Sequence, residues 1–280
     1  MVLGQNLLPQ KSNFLITKCM MNSRKQLTDI DFFSESLANC RKKNILIKSI
    51  PSHICKDTEL VKKIKNLAEQ KLKWKPIGFK IGATNKDISK IIKAKEPFYS
   101  YLFKERLYKN NSKLRLEKNT LGIELELAYK VSKKIFGKKI QNKKQLVKFI
   151  CGLAPAIELV GFRQNLKKLS YAGQAAIDFG LNISFTKSKI YKVKNILNFS
   201  SKTKIINLKN KEFYYGHTKK VMGNPINSLL WLIKELQKKK LSLKKDFWVS
   251  TGSTTPIVPV KKGDKFLGNI KSLGNVRVNF

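Results

Sequence analysis

Residues 120–130, TLGIELELAYK, hold Glu124 and Glu126 two positions apart in a run that otherwise alternates apolar side chains. On an extended strand such residues share one side, so the two carboxylates face together while Ile123, Leu125 and Leu127 line the other face. The chain has only 18 acidic residues among 280, so a pair on one strand face calls for a cause. Like charges side by side persist when water solvates them or a cation offsets them; a desolvated carboxylate otherwise takes up a proton. An exposed strand face meets the first condition and a metal site the second. A third carboxylate, Glu158, stands in GLAPAIELVGF with apolar neighbours on both sides. That setting directs it into the interior or a cleft, where a glutamate needs a partner. Three carboxylates with no histidine or thiolate cluster are hard oxygen ligands, suited to Mg2+ or Mn2+ with water or substrate completing the shell.

The elements that would position these residues change character along the chain. TDIDFFSESLANCRKK offers Thr28 or Asp29 as a helix cap and an apolar stripe through Phe32, Phe33 and Leu37; KDTELVKKIKNLAEQKLKW repeats the helical spacing at Leu60, Val61, Ile64, Leu67, Ala68 and Leu72. From Pro76 onward short β-like runs dominate: IGFKIGA, GIELELAYKV, AAIDFGLNISF, DFWVSTG and NVRVNF. One helix interrupts them, NPINSLLWLIKELQKKK, with Asn224 as N-cap and Pro225 at the first helical position. Residues 1–27 are expected as a disordered lead or a mis-assigned start, with Met20 and Met21 as alternative starts. Residues 28–75 form a helical region and 76–280 a β-rich body.

Composition limits the classes of function. The 42% hydrophobic content suits a soluble globular fold, and no apolar run reaches the roughly 18 residues of a membrane span. The first residues lack the basic start and apolar core of a secretory signal. Cys19, Cys40, Cys55 and Cys151 show no C-x-x-C spacing and accompany only His53 and His217, which argues against zinc and disulfides and for a reducing cytoplasm. The net charge of +40 invites a nucleic-acid partner. However, 52 of the 58 basic residues are lysine, spread along the whole chain, whereas base and phosphate recognition leans on arginine. A solvated lysine surface is therefore the preferred account, with a basic nucleic-acid-binding protein as the competitor.

The stretches IGFKIGATNKDISKIIKAKEPFYSYLF, GIELELAYKV, APAIELVGFR, AIDFGLN, MGNPINSLLWLIKEL, VSTGSTT and KKGDKFLGNIKSLGNVRVNF occur in the order and spacing of a known family. Over residues 28–280 the chain resembles the 2-keto-4-pentenoate hydratase branch of the fumarylacetoacetate hydrolase superfamily. The resemblance implies an α+β fold, a β-rich roll with an N-terminal helical region, and Mg2+ or Mn2+ held by Glu124, Glu126 and Glu158. It implies that Lys80 is the catalytic lysine beside the substrate, that Ser253 and Asp178 also contact substrate, and that the chain assembles as a homo-oligomer. The implied activity is that of a hydro-lyase acting on a small 2-oxo or 2-hydroxydienoic acid through an enolate. Decarboxylation and carbon-carbon hydrolysis are the alternatives within the superfamily, along with a catalytically silent member. Three departures bear on the reaction. Phe98 follows Pro97 where these hydratases often carry an aspartate thought to move protons. Asp178, Phe179, Gly180, Leu181 and Asn182 replace Asp-Asn followed by a Ser-Ser pair, and MGNP replaces Gly-His-Pro. The metal cradle is kept while the proton-transfer equipment is altered.

Overall fold

A computed structural model describes residues 10–280, with side chains from residue 27 onward. The chain begins with α1 (Gln10–Lys43), α2 (Ser52–Lys56) and α3 (Thr58–Leu72). It continues with β1 (Pro76–Gly82), α4 (Lys86–Ile91), β2 (Phe98–Phe103), β3 (Leu107–Lys109), β4 (Ser112–Lys113) and β5 (Thr120–Val131). Next come α5 (Lys143–Val147), β6 (Ile150–Gly161), α6 (Ala172–Ile177), β7 (Asn182–Lys187), β8 (Lys202–Asn207) and β9 (Phe213–His217). The last elements are α7 (Pro225–Lys238), β10 (Phe247–Ser253), β11 (Lys265–Ile270) and β12 (Gly274–Asn279).

A seven-stranded sheet runs in the order β2-β1-β10-β5-β6-β7-β3, and a five-stranded sheet in the order β4-β12-β11-β8-β9. The main core lies between them: Leu125 and Ile157 of the first sheet meet Ile205, Phe266 and Val276 of the second, and α7 adds Ile226, Leu229 and Ile233. The sheets approach so closely at Gly268 that a Cβ there would lie 2.7 Å from Leu125. Alternation then decides the rest. Phe79 and Ile81 enter this core, which leaves Lys80 on the opposite face of the same sheet.

That opposite face is covered by the N-terminal helices. Leu37 of α1, Ile64 and Leu72 of α3 and Ile177 of α6 form a second core with Phe103 and Phe179. Asp57 caps α3, accepting from the Glu59 and Leu60 N–H groups. The same helix seals the free edge of β2: Glu69 accepts from the Tyr101 N–H at 2.9 Å, and Lys65 donates to the Tyr99 carbonyl at 3.4 Å. Two side chains thus stand where a neighbouring strand would.

The fold differs from the sequence-based expectations at two elements. α1 is not started by Thr28 or Asp29. Its backbone is helical from Gln10, so the expected lead over residues 1–27 is helical for most of its length, and residues 1–9 lie outside the described residues. No glycine or proline interrupts residues 10–43, and threonine or aspartate weakens a helix without ending it. AAIDFGLNISF is not one strand. Its first part is α6, capped by reciprocal bonds between Tyr171 and Gln174, and only Asn182 onward is extended. Between them the chain reverses at Gly180, whose φ of 62° favours glycine. The expected Asn224 cap and Pro225 start of α7 are both present. Among the described residues no helix is long and apolar enough to cross a membrane.

Candidate active site

β5 and β6 pair antiparallel with Glu124 opposite Glu158 and Glu126 opposite Ala156, which places the three glutamates on one face of the sheet. One oxygen from each lies within 4.8 Å of the others. Glu126 and Glu158 are fully buried and Glu124 is half-buried, so the solvated strand face is excluded for two of the three.

Each buried glutamate is anchored by one oxygen only. Glu126 Oε2 accepts from the Ser250 hydroxyl and from the Gly252 N–H, the latter at 3.0 Å. Glu158 Oε1 accepts from Asn182 Nδ2 at 2.8 Å and lies 3.4 Å from Lys80 Nζ. Glu126 Oε1 and Glu158 Oε2 are buried with no hydrogen-bond donor. A buried carboxylate oxygen left without a partner is costly. Two of them in one cluster with Glu124 form a donor set that a divalent cation fits, all-oxygen and anionic. Gly252 is required in this support: its φ is 118°, and a Cβ would lie 1.9 Å from Thr84 Oγ1.

Lys80 is buried, and its Nζ donates to the Gly180 carbonyl at 2.7 Å. Burial opposes its charge, but Glu158, Glu126 and Glu124 together outweigh that effect and hold the ammonium above its ordinary pKa. The carboxyls pay the reciprocal penalty. Burial, with Glu158 beside it, pushes Glu124 up to about 7 against the pull of Lys80 and the Ser253 hydroxyl. Burial and its acidic neighbours likewise push Glu126 well above the usual carboxylate range. One ammonium does not balance three carboxylates; a bound dication would.

Ser253 lies beside Glu124, with its hydroxyl donating to the Thr255 carbonyl at 2.6 Å. Asp178 is placed differently from the substrate contact expected of it. It is fully buried and both oxygens are taken by Arg163, Oδ1 by Nε at 2.5 Å and Oδ2 by the backbone N–H at 2.8 Å. The pair instead fixes the turn that delivers the Gly180 carbonyl to Lys80 and Asn182 to Glu158. Phe98 shares the Lys80 face of the sheet, since it pairs with Gly82 and Ser100 pairs with Lys80.

Asn182, Ser250 and Arg41 are site residues that spacing did not reveal. Arg41, from α1, is fully buried among Phe179, Phe103 and Trp74, with its guanidinium carbon 4.5 Å from the Phe179 ring centre. Its Nη2 donates to Asn182 Oδ1 at 2.7 Å, so the asparagine amide is oriented with its nitrogen toward Glu158. Burial, aided by Arg163 and Arg106, lowers the Arg41 pKa to about 9.

The fold is similar to those of several solved structures. Over 90% of this chain and 97% of the other, the structure matches 4-oxalocrotonate decarboxylase from Pseudomonas putida G7, complexed with magnesium and adipate, at a TM-score of 0.78 and 17% identity. It matches fumarylpyruvate hydrolase from Pseudomonas aeruginosa, in complex with Mn2+ and pyruvate, at a TM-score of 0.55 and 14% identity, covering 73% and 89%. No protein-family model matches the chain. In sequence it is 23% identical to 2-hydroxyhexa-2,4-dienoate hydratase of Comamonas testosteroni over 207 residues, 73% of this chain and 78% of the relative. It is 20% identical to 2-keto-4-pentenoate hydratase of Paraburkholderia xenovorans over 205 residues, 73% and 76%. In sequence, then, this chain resembles the 2-hydroxydienoate and 2-keto-4-pentenoate hydratases, and in fold it resembles a decarboxylase and a hydrolase whose structures contain a divalent metal.

Proposed function

We propose that this protein is a divalent-metal-dependent lyase, most like a 2-keto-4-pentenoate hydratase, acting on a small 2-oxo or 2-hydroxydienoic acid through its enolate. The observation that carries this is the pair of donor-free oxygens on Glu126 and Glu158 beside Glu124. The hydratase relatives and the metal-containing structural neighbours support it. Glu124, Glu126 and Glu158 would hold Mg2+ or Mn2+, which would supply Lewis acidity toward a bound 2-oxo acid. The chain's own groups do the rest. Lys80, held charged by the glutamates and aimed by the Gly180 carbonyl, offsets the substrate's carboxylate or donates a hydrogen bond to its oxygen. The Ser253 hydroxyl offers a further polar contact at the edge of the cradle. Arg163 and Asp178 keep Lys80 and Asn182 in register without touching substrate.

Decarboxylation by the same enolate-stabilising site is a second possibility, favoured by Phe98, which provides no acid or base at a position beside Lys80. Steady-state assays with 2-hydroxypenta-2,4-dienoate and with a 2-oxo-enedioate, each with Mn2+ and with chelator, distinguish the two. Turnover of neither, with tight metal binding, would favour a silent member. The reading includes a homo-oligomer in a reducing cytoplasm, supported by free Cys40, Cys55 and Cys151; light scattering at assay concentration tests the assembly.

A further inference from the structure

Arg41, in the last turn of α1, is a buried cation that the fold does not balance. No carboxylate among the described residues pairs with it. Its Nε and Nη1 are buried without an acceptor. The rings of Phe179, Phe103 and Trp74 surround the guanidinium carbon at 4.5, 5.4 and 5.6 Å. Cation–π contacts of this kind return only part of what desolvating a charge costs. The helix end does not depend on the side chain either, because Arg106 Nη2 donates to the Arg41 backbone carbonyl at 2.9 Å. An apolar chain among those rings would therefore suit stability at least as well as arginine does.

What arginine adds is a hydrogen bond to Asn182. The backbone of Asn182 is fixed from elsewhere, by Arg163 Nη1 donating to its carbonyl at 2.8 Å, and that bond leaves the side-chain amide free to turn over. An amide has a donor end and an acceptor end, whereas a guanidinium only donates. Arg41 Nη2, 2.7 Å from Oδ1, therefore permits one orientation, with Nδ2 toward Glu158 Oε1 at 2.8 Å. Turned over, the amide would set Oδ1 against a carboxylate oxygen, two acceptors face to face. In the permitted orientation Glu158 Oε1 is held by Asn182 and by Lys80, and Oε2 is the oxygen left for the glutamate cluster.

We propose that Arg41 is a positioning residue of the metal site, given the reading that Glu124, Glu126 and Glu158 hold Mg2+ or Mn2+. Acting through Asn182, it decides which oxygen of Glu158 is free for the cation. α1 thus completes the cradle as well as covering it, and the buried charge is kept for metal affinity at the expense of the metal-free fold.

The test pairs Mn2+ calorimetry with the melting temperature of the metal-free protein. Arg41→Met, which leaves an apolar chain among the same rings, should weaken Mn2+ binding about tenfold, the low end for an outer-shell change. Its metal-free melting temperature should stay level or rise. A merely structural arginine gives the reverse, a lower melting temperature or a chain that does not fold, with Mn2+ affinity unchanged in whatever folds; that result overturns the proposal. A variant cycle locates the route. Asn182→Leu should weaken Mn2+ binding by roughly 10- to 100-fold, and adding Arg41→Met should weaken it no further. Asn182→Leu strands the guanidinium, so the double variant should also melt above Asn182→Leu alone. Ser250→Ala, which acts on Glu126, combined with Arg41→Met should instead show the product of the two single losses. Equal additivity in both pairs overturns the route through Asn182. If the unaltered protein binds no Mn2+, the metal reading fails and the positioning role with it, whereas Mn2+ binding that Arg41→Met leaves intact overturns the positioning role alone.

Discussion

A glutamine at position 126 or 158 has the shape of the native side chain without its charge. Outer-shell changes alone typically cost roughly 10- to 100-fold in metal affinity, so Glu126→Gln or Glu158→Gln should cost at least about 100-fold for Mn2+ in calorimetry while circular dichroism stays native. Unchanged affinity in both variants would remove the site. The same cluster predicts a pH dependence. Glu124 is raised from 4.5 to about 7 in the metal-free fold, so the folded state holds this proton more tightly than the unfolded chain. Its stabilising contribution is complete below about 4.5 and lost as pH rises through about 7. The metal-free melting temperature should therefore fall across that window, and saturating Mn2+ should restore it near neutrality, where the cation replaces the proton. At Phe98 the consequence is kinetic. General acid-base help contributes roughly 10² to 10⁴-fold. A site that lacks it should exchange the C3 protons of a 2-oxo acid in D₂O, dependent on Mg2+ and Lys80, while hydrating 2-hydroxypenta-2,4-dienoate slowly. Rapid formation of 4-hydroxy-2-oxopentanoate would show another group moving the proton. Of these residues Glu124 and Glu126 were legible because same-face spacing on a strand is local, and Glu158 because a carboxylate amid apolar neighbours is conspicuous. Arg41 was not: its partner Asn182 is 141 positions away, and nothing near a helix end marks an arginine for burial.

At the scale of elements, β10 is where geometry is least forgiving. Gly252 presents its N–H to Glu126 while lying against Thr84. Gly252→Ala should force these apart, lowering the melting temperature by several degrees and weakening Mn2+ binding, whereas alanine at Gly137, which has open space around it, should leave metal binding intact. Both φ values are positive, so each variant carries backbone strain and only the first loses a site contact. The strands carrying Glu124 and Lys80 were readable from their alternation, and α7 from its cap; β6, which carries Glu158, is buried nearly throughout and shows no alternation to read. α6 was not, because AAIDFGLNISF has the apolar density of a strand and its division depends on left-handed backbone at Phe179, Gly180 and Leu181. Only glycine there advertises such a conformation. For the same reason Asp178 reads as a free carboxylate in sequence and is a bound one in the fold.

For the whole molecule, +40 spread over a lysine surface predicts weak, sequence-indifferent attraction to duplex DNA that disappears steeply with added salt. Submicromolar, sequence-selective binding at physiological salt would reverse that ranking. The sheet carries a different consequence. β1 pairs in parallel with β10, joining Gly78 to Trp248, so the strand bearing Lys80 cannot take its place until residues near 250 exist. Ser250 and Gly252, which hold Glu126, arrive with the same segment. On a ribosome adding about 5 to 20 residues per second, the glutamates on β5 and β6 emerge many seconds before the strand that orients one of them. A nascent chain in that interval carries acidic side chains but no finished cradle, and such long-range closure is intrinsically slow. Metal capture is thereby tied to completion of the polypeptide, and a chain cut short before residue 247 would lack both groups that hold Glu126.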